Sequence, residues 1–143
     1  MTDLANKVAI VTGSANGLGK ALATELFRQG CHLALLDINS KELGKLKSEL
    51  LSNKQKITIH TVDISREQEI ISARTEILQL HKRVDILINN AGVSISQPFE
   101  QLNLTDFKWL FDINFWGTVY CCKHFLQDLK QQTDSRLVNI INK

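Results

Sequence analysis

The sequence predicts an α/β fold, a doubly wound sheet of parallel strands covered by helices. Short apolar runs alternate along the chain with amphipathic segments of helical length, the pattern of βαβ units with right-handed crossovers. The first run is apolar at four consecutive positions, as a strand buried on both faces requires. A glycine-rich turn, Thr12-Gly13-Ser14-Ala15-Asn16-Gly17-Leu18-Gly19, joins that run to the first helical segment.

Residues 7–12 read as the first strand, with β-branched Val8, Ile10 and Val11. Residues 17–29 read as a helix whose Leu18, Ala21, Leu22, Leu26 and Phe27 recur at helical steps until Gly30 stops it. Residues 32–36 form a second strand ending at Asp37, and Asn39 or Ser40 can cap the next helix, which carries Leu43, Leu46, Leu50 and Leu51. A third strand spans 56–62. Ser65, with Glu67, Gln68 and Glu69 close behind, reads as the N-cap of a helix whose apolar face is Ile70, Ile71, Ile77, Leu78 and Leu80. Residues 84–88 form the fourth strand, followed by Asn89-Asn90-Ala91-Gly92 and a loop holding the only proline, Pro98. A long helical region covers 105–131. Its stripe of Phe107, Leu110, Phe111, Phe115, Val119, Cys122, Phe125, Leu126 and Leu129 reads as core, and Gly117 as a point of close helix packing. The fifth strand covers 136–141. With no repeats, low-complexity segments or linkers, residues 1–143 read as one domain.

Composition narrows the function. A length of 143 residues with 43% hydrophobic and 22% charged residues suits a globular domain with a real core. A net charge of +2 argues against nucleic acid as a partner. No apolar run approaches the roughly 20 residues of a membrane span. The N-terminus lacks a basic segment feeding an apolar one, so no secretory signal is expected. Cys31, Cys121 and Cys122 are odd in number and two are adjacent, which fits a reducing, cytoplasmic setting. His32, His60, His81 and His124 share no metal-ligand spacing with them, and no metal is expected.

The glycine-rich turn carries chemistry if it receives an anion. Glycines let an anion's oxygens approach the backbone, and the helix N-terminus adds unpaired N–H groups and about half a positive charge. The same glycines would also serve a tight turn by their dihedrals alone. The distances that follow favour a nucleotide. Asp37 lies about 20 residues past Gly17, where the dinucleotide pattern expects an acid that accepts from ribose hydroxyls. A carboxylate there repels a 2′-phosphate, and Asn16 and Ile38 are uncharged, so NAD is favoured over NADP. Asn114 also stands out, a polar amide inside an apolar helical stretch where asparagine competes poorly.

Thr-Gly-x-x-x-Gly-x-Gly at 12–19, Asp63 after the third strand, Asn-Asn-Ala-Gly at 89–92 and Asn114 resemble the short-chain dehydrogenase/reductase family, over almost the whole chain. The resemblance implies a Rossmann-type sheet in the order 3-2-1-4-5, truncated after the fifth strand of seven. It implies that Thr12, Gly13, Ser14, Asn16, Gly17, Leu18 and Gly19 form the nucleotide corner. Asp63 would bond the adenine amino group with Ile64 against the ring. Asn90, Ala91 and Gly92 would line the cofactor and tie the fourth strand to the first. Asn114 would hold a water of the proton relay at a local break in its helix.

The family reaction moves a hydride between nicotinamide and an alcohol or carbonyl carbon, using a serine after the fifth strand and a Tyr-x-x-x-Lys pair. This sequence departs there. Asn142 stands at the serine position, and the only tyrosine, Tyr120, is followed four positions later by His124. The chain alone is therefore expected to bind nucleotide without turnover, or to need a partner chain for the missing groups. The fifth strand becomes an edge, and the long helix loses the neighbour with which the family builds its dimer. Partial exposure of Trp109, Trp116 and Tyr120 is expected, with either marginal stability or self-association of the chain.

Overall fold

A computed structural model describes residues 3–141. Strands β1 (Val8–Thr12), β2 (His32–Asp37), β3 (Ile57–Thr61), β4 (Ile86–Asn89) and β5 (Arg136–Asn139) form one sheet in the order β3-β2-β1-β4-β5. Every neighbouring pair is parallel. Helices α1 (Gly17–Arg28), α2 (Ser40–Glu49) and α3 (Glu67–His81) cross over between the first four strands. After β4 a 3-10 turn (Phe99–Gln101) leads into α4 (Leu104–Phe111), a π-helical segment (Asp112–Gly117) and α5 (Thr118–Lys130).

β1 is buried at all five positions because helices cover both of its faces. Ala9 and Val11 pack with Ala23 of α1 and with Leu43 and Leu46 of α2. Ile10, between them, points the other way and packs with Ile70 and Ile77 of α3 and with Phe125 and Leu129 of α5. The register sets Val11 beside Leu35 on one side and Ile88 on the other, so the ends of β1, β2 and β4 open on one edge.

Two expectations are corrected. Ser65 does not cap α3. Its N–H and hydroxyl both donate to Asp63 Oδ1, at 3.0 and 2.6 Å, and the helix starts two residues later with Arg66 at the cap position. A carboxylate is the stronger acceptor and holds the serine in the preceding turn. The helical region after the fourth strand begins at Leu104, with the Asn103 side chain accepting from the Asp106 N–H, and the π-helical segment around Asn114 is the local break expected there. Its apolar stripe is core only at the C-terminal end. Phe125 and Leu129 are buried, whereas Phe107, Phe111, Phe115 and Leu126 are 43–46% exposed. Periodicity shows that a face is apolar, not that anything covers it. Only α5 lies over the strands, against β4 and β5 and beside α3.

β5 is the expected edge, exposed along its whole length, with Leu137 and Val138 at the surface. It is shorter than 136–141, although the Ile140 N–H still donates to the Asn89 carbonyl. Asn142, expected at the serine position, lies outside the described residues. Among the described residues no helix is long and apolar enough to cross a membrane.

Candidate functional site

The turn between β1 and α1 uses its glycines in three ways. Gly13 has φ +62° and packs so closely on the loop after β4 that a Cβ would come within 2.8 Å of Ala91 Cα. Gly19, in the first turn of α1, leaves no room at all: a Cβ would overlap the Gly13 carbonyl oxygen and reach 2.5 Å from Asn90 Nδ2. Gly17 has φ +55° with open space beside it. The Asn16 side chain makes no capping bond to α1, and the first turn carries no acidic residue. That helix N-terminus therefore faces outward with N–H groups that its cap residue does not satisfy, a setting that favours an anion.

The loop after β4 is bolted to this turn. Thr12 Oγ1 accepts from the N–H groups of Asn90 and Ala91, both at 3.0 Å. Asn90 Nδ2 donates to the carbonyls of Thr12 and Gly13, at 3.2 and 3.1 Å. Residues 90–92 are thus held against the glycines by four hydrogen bonds anchored on one buried threonine and its neighbour. Ser14 behaves differently from its neighbours. It is buried, and its N–H and hydroxyl both donate to the Leu36 carbonyl at 3.2 Å, which fastens the turn to β2.

Asp37, at the end of β2, is oriented by two backbone donors: Oδ2 accepts from the Ala15 N–H at 3.0 Å and Oδ1 from the Asn39 N–H at 2.9 Å. It lines a cavity of about 150 Å³ together with Gly13, Asp63, Ile64, Ala91 and Gly92. Asp63 takes the Ser65 donors on Oδ1, and its own N–H donates to Glu69 Oε2 at 2.7 Å, which fixes the turn after β3. Ile64 is buried on the wall of the same cavity. Asn16 and Leu18 are exposed at the turn.

Asn114 lies inside the π-helical segment, where the helix widens by one residue per turn. Its Oδ1 accepts from the Val93 N–H at 2.8 Å and its Nδ2 donates to the Val93 carbonyl at 2.7 Å. The amide thereby replaces a strand partner for the loop that leaves β4, and holds Val93 on the cavity wall. The segment's Ile113 lines the cavity as well.

A glycine turn closed by a threonine-anchored Asn-Ala-Gly loop thus shares one cavity with an acid from the neighbouring strand. The family model for short chain dehydrogenase matches residues 7–142. The chain belongs to the short chain dehydrogenase family. One relative, the CLA biosynthesis dehydrogenase/reductase of Lactiplantibacillus plantarum, is 29% identical over 141 residues, covering 98% of this chain and 49% of its own length. Among solved structures, a short chain dehydrogenase/reductase from Burkholderia phymatum in complex with NAD superposes with a TM-score of 0.92 at 26% identity, over 97% of this chain and 50% of that one. An alcohol dehydrogenase from Thermococcus sibiricus complexed with 5-hydroxy-NADP superposes with a TM-score of 0.84 at 30% identity, over 87% and 54%. The chain spans about half the length of the relatives it matches.

Within this short chain dehydrogenase chain the structure brings Gly13, Asp37, Asp63, Ile64, Ala91 and Gly92 onto one cavity, places Thr12 and Asn90 behind them, and turns Ser14 toward β2. Sequence reasoning missed Val62, Val93 and Ile113, which also line the cavity. Ile113 adjoins a residue that was singled out, but it sits in a helical stretch whose periodicity does not say which residue meets a cavity. Tyr120 stacks on Trp116, with ring centroids 5.9 Å apart, in a packing position.

Proposed function

We propose that this chain is one nucleotide-binding domain of an NAD(P)-dependent oxidoreductase, with NAD preferred, acting on a small-molecule alcohol or carbonyl substrate. The observation that carries the reading is the cavity that Asp37 shares with Gly13, beside a turn whose Gly13 and Gly19 pack too closely on Asn90, Ala91 and the turn's own backbone to take a Cβ. These residues fit a dinucleotide. The N-terminus of α1 and the glycine turn would hold the diphosphate, with Thr12, Ser14, Asn16, Leu18 and Gly19 shaping that turn. Asp37, already oriented by the Ala15 and Asn39 N–H groups, has lone pairs left for two ribose hydroxyls. Asp63 and Ile64 would take the adenine, and Asn90, Ala91 and Gly92 would run beside the cofactor. Asn114 would act on the reaction through the Val93 loop that it clamps and through a bound water. The cofactor, when bound, supplies or accepts the hydride. Relatives bound to NAD or to an NADP derivative support a nicotinamide dinucleotide in general. The uncharged Asn16 and Ile38 beside the Asp37 carboxylate support NAD.

A second reading is favoured by one observation. The only tyrosine is Tyr120, which packs on Trp116 and is followed by His124 where the family pair has lysine. By that reading this chain alone binds NAD without turnover, or supplies half of a site that a partner chain completes. The buried, unpaired Cys31 and Cys121 support a cytoplasmic setting.

Titration of the 143-residue chain with NADH and NADPH, followed by nicotinamide fluorescence, tests both readings. Binding of NADH that is lost in Gly13→Val supports the nucleotide site, and equal affinity in wild type and Gly13→Val overturns it. Turnover of NAD with any secondary alcohol by this chain rules out the second reading.

A further inference from the structure

Gly117 has ordinary right-handed helical dihedrals, φ −57° and ψ −45°, which any residue adopts. Helix propensity favours alanine over glycine inside a helix, so the missing side chain has no backbone reason. It has a packing reason. A Cβ on Gly117 would stand 2.5 Å from Ile64 Cδ1, 2.7 Å from Cγ1 and 3.2 Å from Cβ. Gly117 is buried, and Ile64 is 7% exposed and lines the cavity that also holds Asp37 and Asp63. One turn earlier on the same segment, Ile113 lines that cavity. Residues four apart share a helix face, so this face both borders the cavity and backs its wall.

We propose that Gly117 is a positioning residue for the adenine end of the nucleotide, an inference that rests on the nucleotide reading above. Without a Cβ the helix lets Ile64 lie back against it, and the gap in front of Ile64 is the width of the adenine slot. A methyl on Gly117 pushes the Ile64 side chain forward into that slot.

A double-mutant cycle read by AMP and NADH affinity tests this. Gly117→Ala is expected to weaken AMP binding about tenfold, the scale of an overpacked contact. In an Ile64→Ala background, where the crowded Cγ1 and Cδ1 atoms are gone, the same change is expected to cost less than about twofold. An equal loss in both backgrounds, or none in either, overturns the proposal while leaving the nucleotide reading intact. Failure of the wild-type chain to bind AMP or NADH overturns the nucleotide reading and this inference with it. Should Gly117→Ala not fold, AMP titration of the wild-type chain by amide and methyl NMR decides. Shifts at both the Ile64 methyls and the Gly117 amide support the coupling, and a Gly117 amide that stays still while Ile64 moves overturns it.

Discussion

Asp37 Oδ2 accepts the Ala15 N–H at 3.0 Å, which ties the acid at the end of β2 to the glycine turn after β1. The contact joins residues far apart in the chain, just beyond the last β1–β2 pair, Thr12 with Leu36. It fixes the carboxylate before any ligand arrives, and such preorganisation lowers the ordering cost of binding.

Replacing Asp37 removes both the anchor and the charge. Asp37→Ala is expected to weaken NADH binding about tenfold and to narrow the NADH/NADPH preference, because the repulsion against a 2′-phosphate is gone. Parallel fluorescence titrations with the two nucleotides measure it. An unchanged ratio contradicts the assignment of Asp37 as the sugar reader.

Thr12 is the anchor of the Asn90 loop. Thr12→Val keeps the shape of the side chain but leaves the Asn90 and Ala91 N–H groups without their acceptor. The expected destabilisation is about 1–3 kcal/mol, two half-buried donors that lose their acceptor. Urea denaturation measures it. A loss below about 0.5 kcal/mol, the range of surface substitutions, would mean that the loop finds other partners.

Acid destabilises the β3–α3 contact. Thr58 Oγ1 sits 2.8 Å from His60 Nε2 and 2.7 Å from His81 Nε2, and both rings are buried. Burial, with Lys56 and the neighbouring histidines His60 and His32, pushes the His81 pKa down to about 4. Burial also lowers that of His60, against the opposing pull of Glu76 at 3.4 Å and with a further push down from Lys47. The unfolded chain therefore takes protons near 6.5 that the folded chain refuses. Stability from this pair is fully present above about pH 6.5 and is lost as the pH falls toward 4, by up to about 3 kcal/mol for His81. Denaturation midpoints measured between these limits should fall steeply in wild type and less so in His81→Leu.

The exposed aromatic face predicts association. Phe111 stacks on Phe115 with centroids 4.8 Å apart, Trp116 packs edge-on against Phe115, and all three rings are 41–46% exposed. Such a patch, together with the exposed β5 edge, fits a homo-oligomer. Sedimentation of the wild-type chain should show dimers or larger species that Trp116→Glu shifts toward monomer. A monodisperse wild-type monomer with a cooperative melt would count against it.

The succession of strands and helices and the glycine corner were legible because each rests on local rules, whereas the sheet order 3-2-1-4-5 followed from the family resemblance. Apolar runs and helical periods give the elements, and glycine has few competitors where φ is positive or backbone meets backbone. Asn114 was legible as an anomaly, a polar amide in an apolar stretch, but its partner was not. Val93 lies on another element, and nothing in the spacing of the two residues says that they meet. Ser65 was misread for the same reason, since its acceptor competes through a turn that the sequence does not display.

The sequence by itself determined the order of strands and helices, the phosphate-type turn and the acid that follows it. These depend on interactions between near neighbours and on the period of the chain. Tertiary structure alone decided that Ser14 serves β2, that Ile64 leans on Gly117, and that three of the stripe's four phenylalanines are surface. Periodicity says which residues share a face. What that face meets depends on how the sheet is stacked, and burial is a property of the pair of surfaces rather than of either one.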